Sequence, residues 1–363
     1  TSLQLTLWTG LTATVIGFVL AFAFVAGLYG RPASRRLTVL LAPFLATPHA
    51  AIAIGLAFII APSGWLFRLL AEPLQLAQPP AFALVGDPLG IGLILGLMIK
   101  EIPFLALVMT ASLGHLPVRR WLIAARSLGY TGASAWVRVI LPRLWPPVRL
   151  PTLIVLSYAL SNVDMALLLG PSNPPTLAVT VLRLYTDPAL SSLLTAAAGA
   201  LLQAGLVLTA FAGVWLLERS ITVTGRIWLR RGQRDRFTGV LLAIGRTGTR
   251  LLCALGGFAI AALLVWSITW RWPWPQRWPE QLSLAAWQQS GSTWLGPFGN
   301  SLLFAAITTI TALVLAITWL ETERRGSPSL LAGIVYLPLL LPQIGFLPGL
   351  QFGFLQLGID AGV

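Results

Sequence analysis

Cysteine, histidine, lysine and carboxylates are all scarce in this 363-residue chain. A single cysteine excludes an internal disulfide framework and a cysteine-rich zinc site. Two histidines and 11 acidic residues argue against a metalloenzyme. All charged residues together make up only 10%, against roughly 25% in soluble domains. Too little polar side chain remains to cover a water-facing surface. What fills the sequence instead is apolar: 56% of residues are hydrophobic and the mean hydropathy is +0.82. The chain is an integral membrane protein.

Crossing the hydrocarbon as a helix takes about 20 mostly apolar residues. Eight stretches meet that length, at about 3–29, 37–61, 91–113, 150–170, 192–217, 251–270, 299–320 and 329–357. Their apolar runs are continuous and lack the period-2 alternation of an outer-membrane barrel. Pro43, Pro48, Pro103, Pro151, Pro338, Pro342 and Pro348 fall inside them. Neighbouring helices can satisfy the backbone groups that such prolines free.

A net charge of +13 would point to nucleic acid in a soluble chain. Its distribution points elsewhere. Links 30–36, 114–149, 218–250 and 321–328 hold 19 arginines, while the alternate links hold only Arg68, Arg183, Arg271 and Arg277. Excess basic charge marks cytoplasmic loops, so the first set is cytoplasmic and no nucleic-acid partner is required. Thr1 then starts outside. With no initiator Met and no signal peptide, the expectation is an earlier outward-running helix before Thr1, in a chain that is a piece of a longer protein.

The sequence also repeats weakly. At an offset of 294, Pro48 meets Pro342, Gly55 meets Gly349, Leu56 meets Leu350 and Phe58 meets Phe352. Each segment follows the same order of span, short arginine-bearing turn and proline-bearing span. Repeats of this kind are common in transporters. The organisation expected is a first half over 1–217, a basic cytoplasmic linker over 218–250, and the start of a second half over 251–363.

Link 114–149 is the most informative segment. Ala124, Ala125 and Leu128 lie at i, i+1 and i+4, which gives a short helix an apolar stripe. Gly129 permits a bend or left-handed cap. Ser134 is expected to cap a second helix carrying Trp136, Val137 and Ile140, and Pro142 to end it. Here the sequence resembles the permease subunits of binding-protein-dependent ABC importers. Their cytoplasmic signature runs Glu-Ala-Ala, three residues, Gly, nine residues, then Ile-x-Leu-Pro. This chain reads Ile123-Ala124-Ala125, Gly129 and Val139-Ile140-Leu141-Pro142, with both spacings kept. Ile123 stands where the family usually has Glu, which puts one expected ion pair with the ATPase in doubt. The two-half layout is similar to fused permeases of the iron(III), thiamine and YnjC-like kinds.

The resemblance implies an all-α, polytopic helical bundle of the MetI-like permease type, in two tandem halves of which the second is incomplete. It implies a multi-pass protein of the bacterial inner membrane that needs no cofactor. It further implies an ABC ATPase subunit, itself a dimer, at the cytoplasmic face, and a periplasmic substrate-binding protein. Membrane lipid completes the surroundings. In that family the loop forms a coupling helix seated in a groove of the ATPase. Carried over, Ala124, Ala125, Gly129, Leu141 and Pro142 match the motif, with Arg126, Tyr130 and Trp136 between them as contacts. The second half's copy would lie beyond Val363. The chain has no G-x-x-x-x-G-K-S/T motif, so ATP hydrolysis belongs to the separate subunit and the chain is not itself an enzyme.

Polar residues inside spans are expensive and mark pathways or packing pairs. Lys100 and Glu101 sit mid-span, and Asp164 lies near Ser161 and Asn162. A Lys100–Asp164 pair between helices is conceivable, either fixing the packing or bordering the translocation path. Lys100, Glu101, Asn162 and Asp164 are the path candidates. His49 reads more readily as a buried, hydrogen-bonded side chain than as a ligand contact. The external stretch 270–294 carries Trp270, Trp272, Trp274, Trp278, Trp287 and Trp294, which suits an interfacial surface helix. Contact with the binding protein, there or at loop 171–190, is the sharper alternative. Two rivals to the importer reading remain: an ion-coupled secondary transporter relaying protons through Lys100, Glu101 and Asp164, and a membrane-embedded enzyme. The enzyme would need an acidic or histidine cluster at a membrane face, and the sequence offers none.

Overall fold

Backbone N–H and C=O groups in hydrocarbon have no water to bond to, and a helix satisfies them within one segment. The computed structural model is accordingly all-α, apart from one short hairpin among the described residues. It describes residues 1–32, 37–230, 237–289 and 291–324, with scattered positions between 349 and 358.

The first span is α1 (Ser2–Leu28). The second is broken: α2 (Leu37–Ala46) and α3 (His49–Ile60) meet at Pro48, and α4 (Trp65–Ala71) turns off beyond them. α5 (Ile91–Gly114) returns across the bundle. At the arginine-rich end stand α6 (Val118–Ser127) and α7 (Gly132–Ala135). A π-helical turn over Trp136–Ile140 then feeds directly into α8 (Leu141–Ser161). After a break at Asn162 come α9 (Asp164–Leu169), α10 (Leu177–Tyr185) and the long α11 (Leu190–Arg230). α12 (Phe237–Ser267), the hairpin of β1 (Thr269–Arg271) and β2 (Gln281–Leu282), α13 (Ala285–Gln289) and α14 (Gly291–Arg324) follow.

Seven helices or helix runs among the described residues are long and apolar enough to cross a membrane, so the protein is polytopic. The eighth stretch of the sequence reading, 329–357, lies almost wholly outside the described residues. Two expected boundaries move. The span read as 150–170 is α8 plus α9, starting earlier and interrupted at Asn162. Pro142 does not end the helix before it; Leu141 N–H bonds to Trp136 O, five residues back. That wide turn resets the register just ahead of a residue that has no N–H to give. The basic linker 218–250 is helical at both ends, since α11 runs to Arg230 and α12 starts at Phe237.

α5 is the most enclosed span; Leu97, Ile99, Ile102, Leu105 and Met109 are fully buried. Around it lie α1, α2, α8 and α9. α12 packs along α1 and α3, and Thr249 Oγ1 donates to Leu20 O at 2.8 Å. At Gly55 of α3 the approach is so close that a Cβ there would lie 2.2 Å from Ala259 O. Small residues permit this helix contact where no hydrophobic force between helices drives it. No residue of the apolar window of α14 is buried.

On the side that the charge distribution marks as external, α4 holds the hairpin. The Arg68 guanidinium, 5% exposed, donates to Ser63 O (2.8 Å), Pro273 O (2.8 Å), Trp272 O (3.0 Å) and Gln276 O (3.2 Å). It also lies over the rings of Trp272 and Trp274. Trp65 Nε1 donates to Arg277 O at 3.1 Å, and Trp65 packs on Phe258, Trp272 and Trp278. Residues 269–282 therefore form a clasped hairpin, which corrects the surface-helix expectation for that part of 270–294; beyond it Trp287 and Trp294 do lie on helices, α13 and the start of α14. Removal of Arg68 takes a donor from four partly buried carbonyls, of which Pro273 O keeps Gln276 N–H and Gln276 O keeps Trp272 Nε1. A hydrogen bond to a charged group is worth about 1.5–3 kcal/mol. Arg68→Ala is expected to open the 269–282 segment to chymotrypsin in right-side-out vesicles, and Arg68→Lys to protect it only partly because an ammonium lacks the planar fork.

Candidate functional site

The cytoplasmic loop is built around a tight reversal. α6 is amphipathic, burying Val118, Leu122 and Ala125. Gly129 takes φ +81°, where a side chain is disfavoured. Tyr130 N–H bonds to Ala125 O at 3.0 Å and Gly129 N–H to Arg126 O at 2.8 Å, the six-to-one and five-to-two bonds of a left-handed helix end. Thr131, not Ser134, caps α7: its Oγ1 accepts from Ser134 N at 3.2 Å. The capping residue lies three positions earlier than the sequence reading placed it, because the cap accepts from the third residue of its helix.

The motif residues divide by burial. Ala124, Arg126, Gly129 and Pro142 are exposed, Tyr130 and Leu141 half-buried, Ala125 and Trp136 buried. Ile123 and Leu128 add an apolar face, 55% and 68% exposed. Trp136 points inward, edge-on to Phe22 of α1 and to Tyr29 just past its end, so it ties the loop to the bundle. Arg138 lies over the Tyr130 ring and Arg143 over Trp121. The result is a small-residue and apolar surface, ringed by arginines, rigidly joined to α1 and α8.

A second polar region lies deep in the bundle, where the two interrupted spans meet. Lys100 Nζ donates to Phe44 O and Thr47 O, both at 2.6 Å. The Phe44 carbonyl is four residues before Pro48, which has no N–H to offer it; the lysine supplies the missing donor. Lys100 therefore does not pair with Asp164. Across the other break, Asn162 Oδ1 accepts from Met165 N at 2.8 Å and its amide donates to Tyr158 OH. The Tyr158 ring packs on His49, centroids 4.6 Å apart. Asp164 is exposed and makes no hydrogen bond or ion pair among the described residues. Glu101, 4% exposed, faces α1 near Gly17, and neither carboxyl oxygen has a partner. The four candidates thus separate: Lys100 and Asn162 repair breaks, Asp164 is presented, and Glu101 is enclosed.

Three further residues hold this architecture without being marked as site residues by the sequence: Arg68, Asp87 and Tyr158. Asp87 caps α5, accepting from Ile91 N at 2.8 Å and Gly92 N at 3.0 Å. An Asp just ahead of an apolar run is a legible start signal. Nothing local marks Tyr158 or Arg68.

No family model matches the chain. Over 363 residues it is 28% identical to the "Inner membrane ABC transporter permease protein YnjC" of Escherichia coli (strain K12), covering 99% of this chain. The chain resembles an ABC transporter permease. It spans 63% of that relative's length.

Proposed function

We propose that the chain is the transmembrane permease component of an ATP-binding cassette importer in the bacterial inner membrane. It forms the path for a small solute, a separate dimeric ATPase powers the cycle, and a periplasmic binding protein delivers the solute. The observation that carries this reading is the surface over residues 118–142. Ile123, Ala124 and Leu128 are presented outward on an element whose interior side is locked by Ala125 and Trp136. Small exposed residues let a partner come close, and the continuous path from the π-helical turn into α8 carries a push toward the break at Asn162. A rigid lever ending at a hinge is what domain-scale gating uses.

Ala124→Cys and Ile123→Cys, each in a Cys253→Ser background of the complete transporter, are expected to crosslink to the co-purified ATPase with a yield that changes between nucleotide-free and ATP-bound states. Failure of both cysteines to capture any ATPase would overturn the coupling role. Uptake into vesicles should require ATP hydrolysis and survive collapse of the ion gradients; an ion-coupled transporter gives the reverse.

A further inference from the structure

The charges at the meeting of the two broken spans are unequal in what they present. Lys100 is 7% exposed and its ammonium is spent on the Phe44 and Thr47 carbonyls. Glu101 is enclosed against α1. Asp164 alone of the three is exposed, and it makes no hydrogen bond or ion pair among the described residues. Beside it stand the half-buried rings of His49 and Tyr158, in contact with each other. His49 opens α3 and Asp164 opens α9, and these two helices pack against each other.

The depth of this region is fixed by helix geometry. α3 begins at His49 and runs 12 residues toward the external side, about 18 Å at 1.5 Å per residue. Lys100 lies nine residues beyond Ile91, the external start of α5, or about 14 Å in. Asp164 opens α9, which runs six residues to its external end at Leu169, so it lies about 9 Å in; a carboxylate within a span without a partner is costly. Other charged side chains on the external side are engaged: Glu72 with Arg277, Glu280 with Arg271, Arg183 with Ser172 O and Asp87 with the start of α5. Interrupted spans in transporters commonly border the substrate site near the membrane midplane.

We propose that the meeting of the α2–α3 and α8–α9 breaks is a recognition site for the positively charged group of a cationic solute. The Asp164 carboxylate reads the charge, and the rings of His49 and Tyr158 provide the polarizable wall that an organic cation favours. Asn162 holds Tyr158 in place through its amide. This rests on the reading that the chain forms a solute path.

The test needs no knowledge of the solute. Leu167 is exposed one turn beyond Asp164 on α9. In the full transporter with Cys253→Ser, Leu167→Cys is labelled by a trimethylammonium methanethiosulfonate and by its sulfonate counterpart, each rate divided by that of a free thiol. The cationic reagent is expected to react faster by about tenfold or more. Asp164→Asn should bring the ratio close to one, and Asp164→Glu should retain it, which separates loss of charge from loss of fold. A cysteine inert to both reagents, or a ratio indifferent to Asp164→Asn, overturns the proposal. Co-purification of an ATPase with the same variants reports on the permease reading separately.

Discussion

Gly55→Leu is expected to prise α3 from α12 and to deplete folded protein from the membrane. A Cβ at Gly55 would sit 2.2 Å from Ala259 O and 2.7 Å from its carbonyl carbon. These are backbone atoms in the middle of a helix, so no rotamer change relieves the clash. Overpacking typically costs 1–3 kcal/mol and occasionally more; with an unyielding neighbour the expectation is about 3 kcal/mol or above, at least a hundredfold in equilibrium. Gly213→Leu on α11 is the control, because nothing lies within 4 Å of a Cβ there. Thermal unfolding in detergent, followed by size-exclusion of the surviving fraction, compares the two. Equal stability would mean that the α3–α12 contact does not hold the bundle together.

Lys100→Met should be nearly as damaging, for a different reason. Methionine fills the volume but donates nothing, leaving the Phe44 and Thr47 carbonyls bare in an apolar interior. Each unsatisfied group there costs several kcal/mol. The cause can be isolated by a double substitution. Pro48→Ala restores a backbone N–H four residues after Phe44, so the carbonyl regains a donor within a continued helix. Lys100→Met with Pro48→Ala is therefore expected to unfold at a higher temperature than Lys100→Met alone, although Pro48→Ala by itself should destabilise. A double variant as weak as the sum of the two would show that the lysine has a role apart from the break.

The sequence discloses most where the bilayer imposes a simple rule. Hydrocarbon thickness sets span length, which is why the stretches around 3–29, 91–113 and 299–320 fall on α1, α5 and α14. Arginine distribution gives the sides, and α4 and the hairpin 269–282, both assigned to the outside, are packed together. The reversal at Gly129 is legible because only one conformational region suits that turn. The α2–α3 break is half legible: Pro48 announces an interruption, but not that a lysine 52 positions later would repair it. Hydrogen bonds to main-chain oxygens leave no complementary residue to search for, so Lys100 invited pairing with a carboxylate on another span. Trp136 misled for a related reason. A tryptophan in a basic loop looks like a contact for a partner until Phe22 and Tyr29, more than 100 residues away, are brought against it. The Trp-rich stretch likewise reads as lipid-facing when the arginine that holds it cannot be seen.

The Arg68 grip also has a bearing on how the outer face can diversify. Its guanidinium holds Trp272, Pro273 and Gln276 by main-chain oxygens, so the hold depends on the path of the loop more than on the chemistry displayed along it. Exposed side chains of the loop that make none of these contacts, such as that of Gln276, can be exchanged for others without releasing that hold. The hairpin is a fixed mount with an interchangeable head.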